Sequence, residues 1–238
     1  MKIKKSLTIS IPAYNEEETL ERVAKEALGA LKLLTSKYQL LLINDGSGDK
    51  TSKIMFNLSK RYSHIKVINH KINRGFSAVI AEGLFTPSTE LVFLAPADGQ
   101  FDFRQLKKFV KLIGKYDAVF GYRVQNSENI SRKVQSMVYR ILGRVLFGIK
   151  LKEFSSVYLW RTDILRDIKV VSDSGSNAAQ MEIVYKAHEK GAKFGQVPIS
   201  WGKRKGGKAK GVINLKLIFS TLWEMIKLWW VVRHGKVF

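Results

Sequence analysis

Short apolar runs along the chain predict the strands of a sheet. Five such runs fall at 7–11, 39–43, 65–69, 90–94 and 117–121. Stretches with the apolar spacing of helices separate the first four runs, at 17–34, 50–61 and 76–85. Strands that alternate with helices in this way are typical of a mainly parallel sheet with helices on both faces. The pattern therefore predicts an α/β fold with one main domain.

The pattern changes after residue 121. Residues 131–148 combine arginines with regularly spaced apolar residues, which predicts a basic amphipathic helix. A further helix is predicted at 178–190 and a last strand at 193–199, ending at Pro198. Residues 202–211 are rich in glycine and lysine, which predicts a basic loop.

Residues 212–232 are apolar enough to suggest a membrane span, but polar side chains interrupt them. Those side chains recur at helical spacing and form one stripe: Lys216, Ser220, Glu224 and Lys227. A tryptophan-rich helix with such a stripe is typical of helices that lie in a membrane interface. Packing of this helix against the domain's own sheet is the alternative. We expect a main domain over 1–211, followed by an amphipathic, membrane-interfacial helix over 212–238.

Polar residues follow three of the predicted strands directly. Residues 12–16 follow the first strand, residues 44–47 the second and residues 96–100 the fourth. Open α/β sheets bind ligands at the edge where the carboxyl ends of their strands meet. The sequence therefore predicts a nucleotide pocket at this edge.

The basic charge of the chain is concentrated in two segments. Of the formal net charge of +21, residues 104–161 carry +10 and residues 200–238 carry +8. Charge placed in this way indicates an anionic partner, which on charge alone is nucleic acid, anionic lipid or a phosphorylated substrate. The absence of cysteine excludes disulfides and thiolate metal sites.

Six ordered blocks carry a resemblance to a known family. They are IPAYNEE (11–17), NDGS (44–47), NRG (73–75), ADGQ (97–100), GYR (121–123) and RKGGKAK (204–210). Together they resemble the family 2 glycosyltransferases of the GT-A fold, and among them the polyprenyl-phosphate (dolichol-phosphate) sugar synthases. The resemblance runs from about residue 7 to residue 211.

The resemblance implies a nucleotide-sugar donor site at the predicted edge of the sheet. The residues that match the donor positions are Pro12, Ala13, Tyr14, Glu16, Asn44, Asp45, Gly75, Ala97 and Asp98. The alternative for the first block is an ordinary turn between a strand and a helix, with the glutamates favourable at the helix N-terminus.

The resemblance also implies a divalent metal, Mg²⁺ or Mn²⁺, held by Asp98 and Gln100. The family's metal block normally begins with a further aspartate, and this chain has Pro96 there. The usual acidic pair of the second block is Asn44 and Asp45. Because both changes remove negative charge, we expect weaker metal binding than in the family.

The acceptor implied by the resemblance is a polyprenyl phosphate. A phosphate monoester is largely dianionic at neutral pH, since its second pKa is about 6, so it needs orientation more than deprotonation. Matching basic positions are Arg123, Arg132, Arg204 and Lys210, of which Arg123 and Arg204 join Asp98 as the expected catalytic residues. A solvated helix face is the alternative for Arg132. Ala209 stands where the family usually has a serine.

The leading hypothesis is an inverting glycosyltransferase that is peripheral on the cytoplasmic face of a membrane, with a separate membrane protein as a possible partner and no nucleic-acid role. A second hypothesis is a glycan or lipid hydroxyl acceptor with Glu182 as the general base. A third is a catalytically silent basic module on the same fold. The four histidines (His64, His70, His188 and His234) have no ligand spacing and are interpreted as surface or loop residues.

Overall fold

The computed structural model describes residues 2–124, 130–154, 157–172, 178–202 and 215–234. Seven strands lie in these ranges: β1 (Leu7–Ala13), β2 (Tyr38–Asn44), β3 (Ile65–Asn69), β4 (Leu91–Leu94), β5 (Ala118–Arg123), β6 (Tyr158–Arg161) and β7 (Phe194–Ile199). They form one sheet in the order β3-β2-β1-β4-β6-β5-β7.

The sheet is mainly parallel, as predicted. Strand β1 pairs in parallel with β2 and β4, β2 with β3, and β5 with β7. Only β6, among the strands of the described residues, runs antiparallel, between β4 and β5. Pro198 lies inside β7, which it can do because β7 is an edge strand.

Helices cover both faces of the sheet. They are α1 (Leu20–Leu34), α2 (Thr51–Arg61), α3 (Phe76–Phe85), α4 (Leu106–Leu112), α5 (Ile130–Phe147), α6 (Thr162–Leu165), α7 (Ala179–Glu189) and α8 (Leu215–His234). The first predicted helix begins three residues late because the backbone N–H groups of Thr19 and Leu20 both donate to the carbonyl of Glu16, which closes a turn there. The sequence analysis did not predict β6, α4 or α6.

The two largest apolar clusters of the core lie on opposite faces of the sheet, and a third, small cluster consists of Leu41, Ile43 and Val79. Leu91 and Phe93 of β4 belong to the cluster beneath α1, α2 and α4. Val92 and Leu94 belong to the cluster beneath α3, α5, α7 and α8. A strand buried on both faces reads as an unbroken apolar run, which explains the pattern that predicted it.

Helix α8 packs on the domain and also exposes an apolar stripe. Met225 and Leu228 are buried in the second cluster. The large apolar side chains that α8 leaves exposed lie at helical spacing: Phe219, Trp223, Ile226 and Trp230. Of the predicted polar stripe, Lys216 and Ser220 have side chains outside the described residues, and Glu224 is only 14% exposed beside Lys227. No helix in the described part of the chain has the length and apolarity needed to cross a membrane.

Candidate functional site

The carboxyl ends of β2, β1 and β4 meet at one edge of the sheet. The end of β1 pairs with the end of β2, where Ala13 lies beside Asn44. Strand β4 lies on the other side of β1. The backbone N–H of Asp45 donates to the carbonyl of Ala13 over 3.0 Å. Three of the segments predicted to bind the donor are therefore neighbours.

Reciprocal hydrogen bonds join the loop after β1 to the loop after β2. Asn15, in the left-handed backbone region at φ 53°, donates from its N–H to Ser47 Oγ and accepts from Gly48 N–H through Oδ1, both over 2.9 Å. The N–H of Glu16 donates to Thr51 Oγ1 over 2.9 Å. These bonds leave the Tyr14 ring 40% exposed at the edge.

Asp49 completes this connection. Its carboxylate accepts from the N–H of Thr51 over 2.9 Å and from the N–H of Glu17 over 3.2 Å. Burial opposes ionisation of Asp49, but the hydrogen bonds from Thr51 and Glu17 outweigh it and lower the pKa of the carboxyl group. The ionised Asp49 carboxylate therefore joins the two loops by hydrogen bonds.

Asp45 organises the loop that precedes α3. Its Oδ1 accepts from Arg74 N–H over 2.8 Å, and its Oδ2 accepts from Gly75 N–H over 3.2 Å. Gly46 has φ +67°, and a Cβ there would collide with the backbone of this same loop. Glycine is therefore required for the two segments to approach so closely.

A buried histidine lies behind Asp45. His70 Nδ1 is 3.1 Å from Asp45 Oδ1, and its Nε2 is 2.6 Å from Glu82 Oε2 on α3. The His70 side chain is only 7% exposed. His70 lies in the loop after β3, in agreement with its interpretation as a surface or loop residue, but its side chain is enclosed by two carboxylates that are distant in the sequence.

Asn44 is held by its own neighbours. Its Nδ2 donates to Asn69 Oδ1 over 2.7 Å, and its Oδ1 accepts from Ser47 N–H over 3.1 Å. The side chain is buried and both polar ends have partners. Donor contact by Asn44 stays a prediction, and its observed role is to fix the NDGS turn.

The proposed metal residues lie in the loop after β4. Asp98 Oδ1 accepts from Gln100 N–H over 3.0 Å, and Gln100 Nε2 donates to the carbonyl of Gly202 over 2.8 Å. Gly202 N–H donates back to the carbonyl of Gln100. The segment that leads towards residues 203–210 is thus tied to the predicted metal loop.

The predicted metal residues supply few ligand atoms for a divalent ion. In the described residues, no group of three or more His, Asp and Glu side chains could hold a metal ion. Asp98 supplies a carboxylate and Gln100 an amide, and Pro96 adds no side-chain ligand. One carboxylate together with the phosphates of a substrate is a common arrangement for Mg²⁺, so Asp98 and Gln100 fit a metal that binds with the donor diphosphate.

Arg123 ends β5 in contact with two groups that the sequence analysis did not single out. Its N–H donates to Glu153 Oε2 over 2.7 Å, and its Nε lies 3.3 Å from Glu153 Oε1. Its guanidinium carbon lies 4.6 Å from the centre of the Trp201 ring. Glu153 and Trp201 therefore fix the direction of the arginine that was predicted to be catalytic.

A surface cavity of about 930 Å³ opens beside Arg123. Three cations other than Arg123 line it: Arg140 and Arg144 on α5, and Lys152. Exposed apolar side chains of α5 line it as well: Met137, Ile141 and Val145. The cavity therefore offers both positive charge and apolar surface.

The remaining predicted basic residues are not described in detail. Arg204 and Lys210 lie outside the described residues, and for Arg132 only the backbone, within α5, is described. Their predicted contact with the acceptor phosphate stays a prediction.

Glu182 on α7 is fully buried and has four donors. It accepts from the N–H groups of Val171 and Ser172 over 2.8 Å each, from the Ser172 hydroxyl, and from Lys186 Nζ over 2.6 Å. Because a general base must reach the proton that it removes, a carboxylate enclosed in this way does not fit that role. This geometry disfavours the second hypothesis.

Comparison with known proteins agrees with this arrangement. The model of the family described as Glycosyl transferase family 2 matches residues 8–188, which is more than half of the chain. The match covers β1 to α7, including the three strand ends that carry the donor residues.

Several curated proteins are similar in sequence. A dolichyl-phosphate beta-glucosyltransferase of Trichomonas vaginalis is 28% identical over 244 residues, which cover 94% of this chain and 75% of that protein. An undecaprenyl-phosphate 4-deoxy-4-formamido-L-arabinose transferase of Photorhabdus laumondii is 30% identical over 63% of this chain and 49% of its own length. The human dolichyl-phosphate beta-glucosyltransferase is 33% identical over 45% of this chain and 35% of its own length. The chain thus spans three-quarters of the first relative and half or less of the other two.

Solved structures share the fold. Glucosyl-3-phosphoglycerate synthase from Mycobacterium tuberculosis, in complex with phosphoglyceric acid, superposes with a TM-score of 0.72 at 14% identity, covering 94% of this chain and 80% of that one. Its complex with Mn²⁺, uridine diphosphate and glucosyl-3-phosphoglycerate gives a TM-score of 0.71 at 15% identity, with the same coverage. The predicted GT-A architecture is confirmed.

Proposed function

Because the chain belongs to glycosyl transferase family 2, we propose that it transfers a sugar from a UDP- or GDP-sugar to a polyprenyl phosphate at a membrane surface. The similar curated proteins named for dolichyl and undecaprenyl phosphate support this acceptor class. Those named beta-glucosyltransferases make glucose the first sugar to test.

The observation that carries the proposal is the cavity beside Arg123. A lipid phosphate has an anionic head and an apolar chain, and the cavity combines Arg140, Arg144 and Lys152 with exposed apolar residues of α5. Arginine grips phosphate oxygens in pairs through its planar fork. A glycan hydroxyl would use neither the charge nor the apolar surface in this way.

The chemistry needs no base from the protein. An oxygen of the acceptor phosphate forms a bond to the anomeric carbon, the bond from that carbon to the donor diphosphate breaks, and the nucleoside diphosphate leaves. A single displacement of this kind inverts the anomeric carbon. The enclosed Glu182 carboxylate is compatible with this reaction because the phosphate is already ionised.

The charged groups of the site act on different substrates, some on the acceptor and some on the donor. Arg123 and the cations of the α5 cavity orient the acceptor and offset its negative charge. A divalent ion on Asp98 and Gln100 would act as a Lewis acid towards the leaving diphosphate. The hydrogen bonds from Asn15 to Ser47 and from Arg74 to Asp45 order the loops of the donor side before the donor binds.

Membrane association is part of the proposal. Helix α8 exposes Phe219, Trp223, Ile226 and Trp230, and it contacts α5, whose exposed face is basic and apolar. Such a pair of surfaces suits the interface of an anionic bilayer, where tryptophans and cations are favourable. The acceptor headgroup would then meet the cavity without leaving the membrane.

Charge reversal on α5 tests the acceptor site. We expect Arg140→Glu together with Arg144→Glu to raise the acceptor KM at least tenfold, as for the loss of charged hydrogen bonds, with the donor KM unchanged. Lys107→Glu with Lys111→Glu is the matched control, because it makes the same charge change at the same spacing on exposed positions of α4. Equal acceptor KM values in the two double variants would show that the cavity does not bind the acceptor.

A further inference from the structure

His70 lies in a chain of buried polar groups that the proposed reaction does not use directly. Its two ring nitrogens are within 3.1 Å of Asp45 Oδ1 and 2.6 Å of Glu82 Oε2. The three side chains come from the end of β2, the loop after β3 and the middle of α3. Arg74 is the other charged group at this place among the described residues, with Nη1 3.9 Å from Glu82 Oε1.

The two contacts hold the imidazole ring from both sides. A ring nitrogen that carries a proton donates to a carboxylate oxygen, and Asp45 and Glu82 each place such an oxygen beside one ring nitrogen. Because Glu82 lies on α3, His70 connects the Asp45 carboxylate to that helix.

This arrangement reaches the donor site through Asp45. Besides His70, the Asp45 carboxylate holds the N–H groups of Arg74 and Gly75, and the Asp45 carbonyl accepts from Asn73 Nδ2 over 3.1 Å. Gly75 immediately precedes α3, and both Asp45 and Gly75 are predicted donor-binding residues. The orientation of Asp45 therefore fixes the loop that the donor would meet.

We propose that His70 is a positioning residue for the nucleotide-sugar donor: held between Asp45 and Glu82, its ring orients the Asp45 carboxylate and, through it, the loop that precedes α3. This inference rests on the proposed function, since it assumes that the donor binds beside Asp45. Removal of the imidazole leaves Asp45 without its contact to α3, so donor affinity falls.

The test measures donor affinity. UDP-glucose and GDP-mannose are titrated calorimetrically without acceptor, at a fixed Mg²⁺ concentration and neutral pH. For the donor that binds, we expect His70→Asn to weaken affinity about tenfold. His188→Asn, at an exposed histidine of α7, should match the wild type.

Glu82→Gln keeps the imidazole and separates positioning from folding. It weakens the contact that holds His70 Nε2 on α3, so we expect weaker donor binding in this variant as well. We expect the double variant with His70→Asn to bind no more weakly than His70→Asn alone, because the two residues act through one unit. Glu82→Gln decides the question if His70→Asn does not fold.

The outcomes separate the inference from the proposed function. Donor binding with the same affinity in the wild type, His70→Asn and Glu82→Gln would overturn the role of His70 and leave the proposed function intact. Failure of the folded wild type to bind either nucleotide sugar would overturn the proposed function, and the donor role of His70 with it. Unchanged kcat with a raised donor KM in His70→Asn is the expected kinetic counterpart.

Discussion

Arg123 is the residue on which the acceptor side depends most. The Glu153 carboxylate accepts a hydrogen bond from the backbone N–H of Arg123 over 2.7 Å and lies beside the Arg123 Nε. The Trp201 ring lies against the Arg123 guanidinium. A guanidinium directed in this way loses little conformational entropy when it binds a phosphate. Glu153 is therefore expected to influence the reaction through Arg123.

The first prediction concerns this pair. We expect Arg123→Ala to lower the rate of sugar transfer about a hundredfold, as for the removal of a preorganised donor to a developing charge. Glu153→Gln should lower it by roughly tenfold, because the guanidinium loses its ionic anchor. Initial rates with saturating donor measure both effects. Glu21→Gln, in the exposed Glu21–Lys25 pair, is the control, and an equal effect of Glu21→Gln and Glu153→Gln would refute the role of Glu153.

The second prediction separates stability from catalysis at Glu182. Glu182→Gln leaves Lys186 buried without its ionic partner, so we expect it to lower the free energy of unfolding by about 3 kcal/mol. Glu182→Gln with Lys186→Met should recover part of that loss. Denaturant titration measures the stability, and transfer rates below the unfolding range should stay within a few-fold of the wild type. Abolished transfer in folded Glu182→Gln protein would restore the hypothesis of a hydroxyl acceptor with a general base.

At the scale of residues, the sequence identified individual candidate residues but not the side chains that contact them. Asp45, Asp98 and Arg123 were singled out because they follow apolar runs or match ordered blocks. His70, Glu82, Glu153 and Trp201 were missed as site residues because their contacts join segments that are distant in the sequence. Apolar periodicity carries no information on such pairs.

At the scale of elements, the loop between β2 and α2 shows how the donor edge is held. Asp49 accepts backbone N–H groups from both Thr51 and Glu17, so it caps α2 and binds the neighbouring loop at the same time. Its pKa is lowered by these hydrogen bonds. A carboxyl group of this kind stabilises the fold only while it is ionised.

The third prediction follows from that carboxyl group. Because the folded pKa is below the unfolded value of about 3.9, the stabilisation is present above that pH and is lost as the pH falls through the folded pKa. We expect Asp49→Asn to cost about 1 kcal/mol at pH 7, as for the loss of a helix cap, and to cost less near pH 3. Thermal unfolding at the two pH values measures the difference. Asp167→Asn, at an exposed aspartate, is the control, and a pH-independent cost of Asp49→Asn would contradict the account.

The fourth prediction concerns α8. We expect Trp223→Ser with Trp230→Ser to weaken partition into vesicles containing phosphatidylglycerol by roughly tenfold, because two exposed aromatic side chains are no longer buried in the interface. Flotation of the protein with vesicles measures the partition. Leu33→Ser, at a residue of α1 that is 74% exposed, removes apolar surface elsewhere and should have little effect. Equal partition of both variants and the wild type would show that α8 is not the membrane-binding surface.

Elements that were predicted and those that were missed differ in length and context. Strands β1, β2 and β4 and helices α1, α2 and α3 repeat one regular unit, so their apolar patterns were sufficient. Strand β6 is as short as β4, but it lies outside the regular unit and leads directly into the four-residue α6, so no alternation of strand and helix marks it. The antiparallel position of β6 between β4 and β5 depends on tertiary pairing.

At the scale of the whole molecule, two chemical surfaces belong to different parts of the fold. The donor edge lies at the ends of β1, β2 and β4, within residues 1–103, which carry 14 basic and 11 acidic side chains. The basic and apolar surface of α5 lies beside the end of β5. The net charge of +10 over residues 104–161 could be predicted from sequence, whereas its convergence with Arg123 on one cavity required the fold.

The most direct test of the account is transfer of labelled sugar to lipid by the purified chain. Polyprenyl phosphate or the corresponding polyprenol is dispersed in detergent with a panel of labelled UDP- and GDP-sugars, in Mg²⁺, Mn²⁺ or EDTA, and label in the organic phase is counted with the nucleotide released. We predict label from one donor on the phosphate acceptor alone, with release of the nucleoside diphosphate and loss of transfer in EDTA. Label on polyprenol, or none from any donor with folded protein, would contradict the central claim.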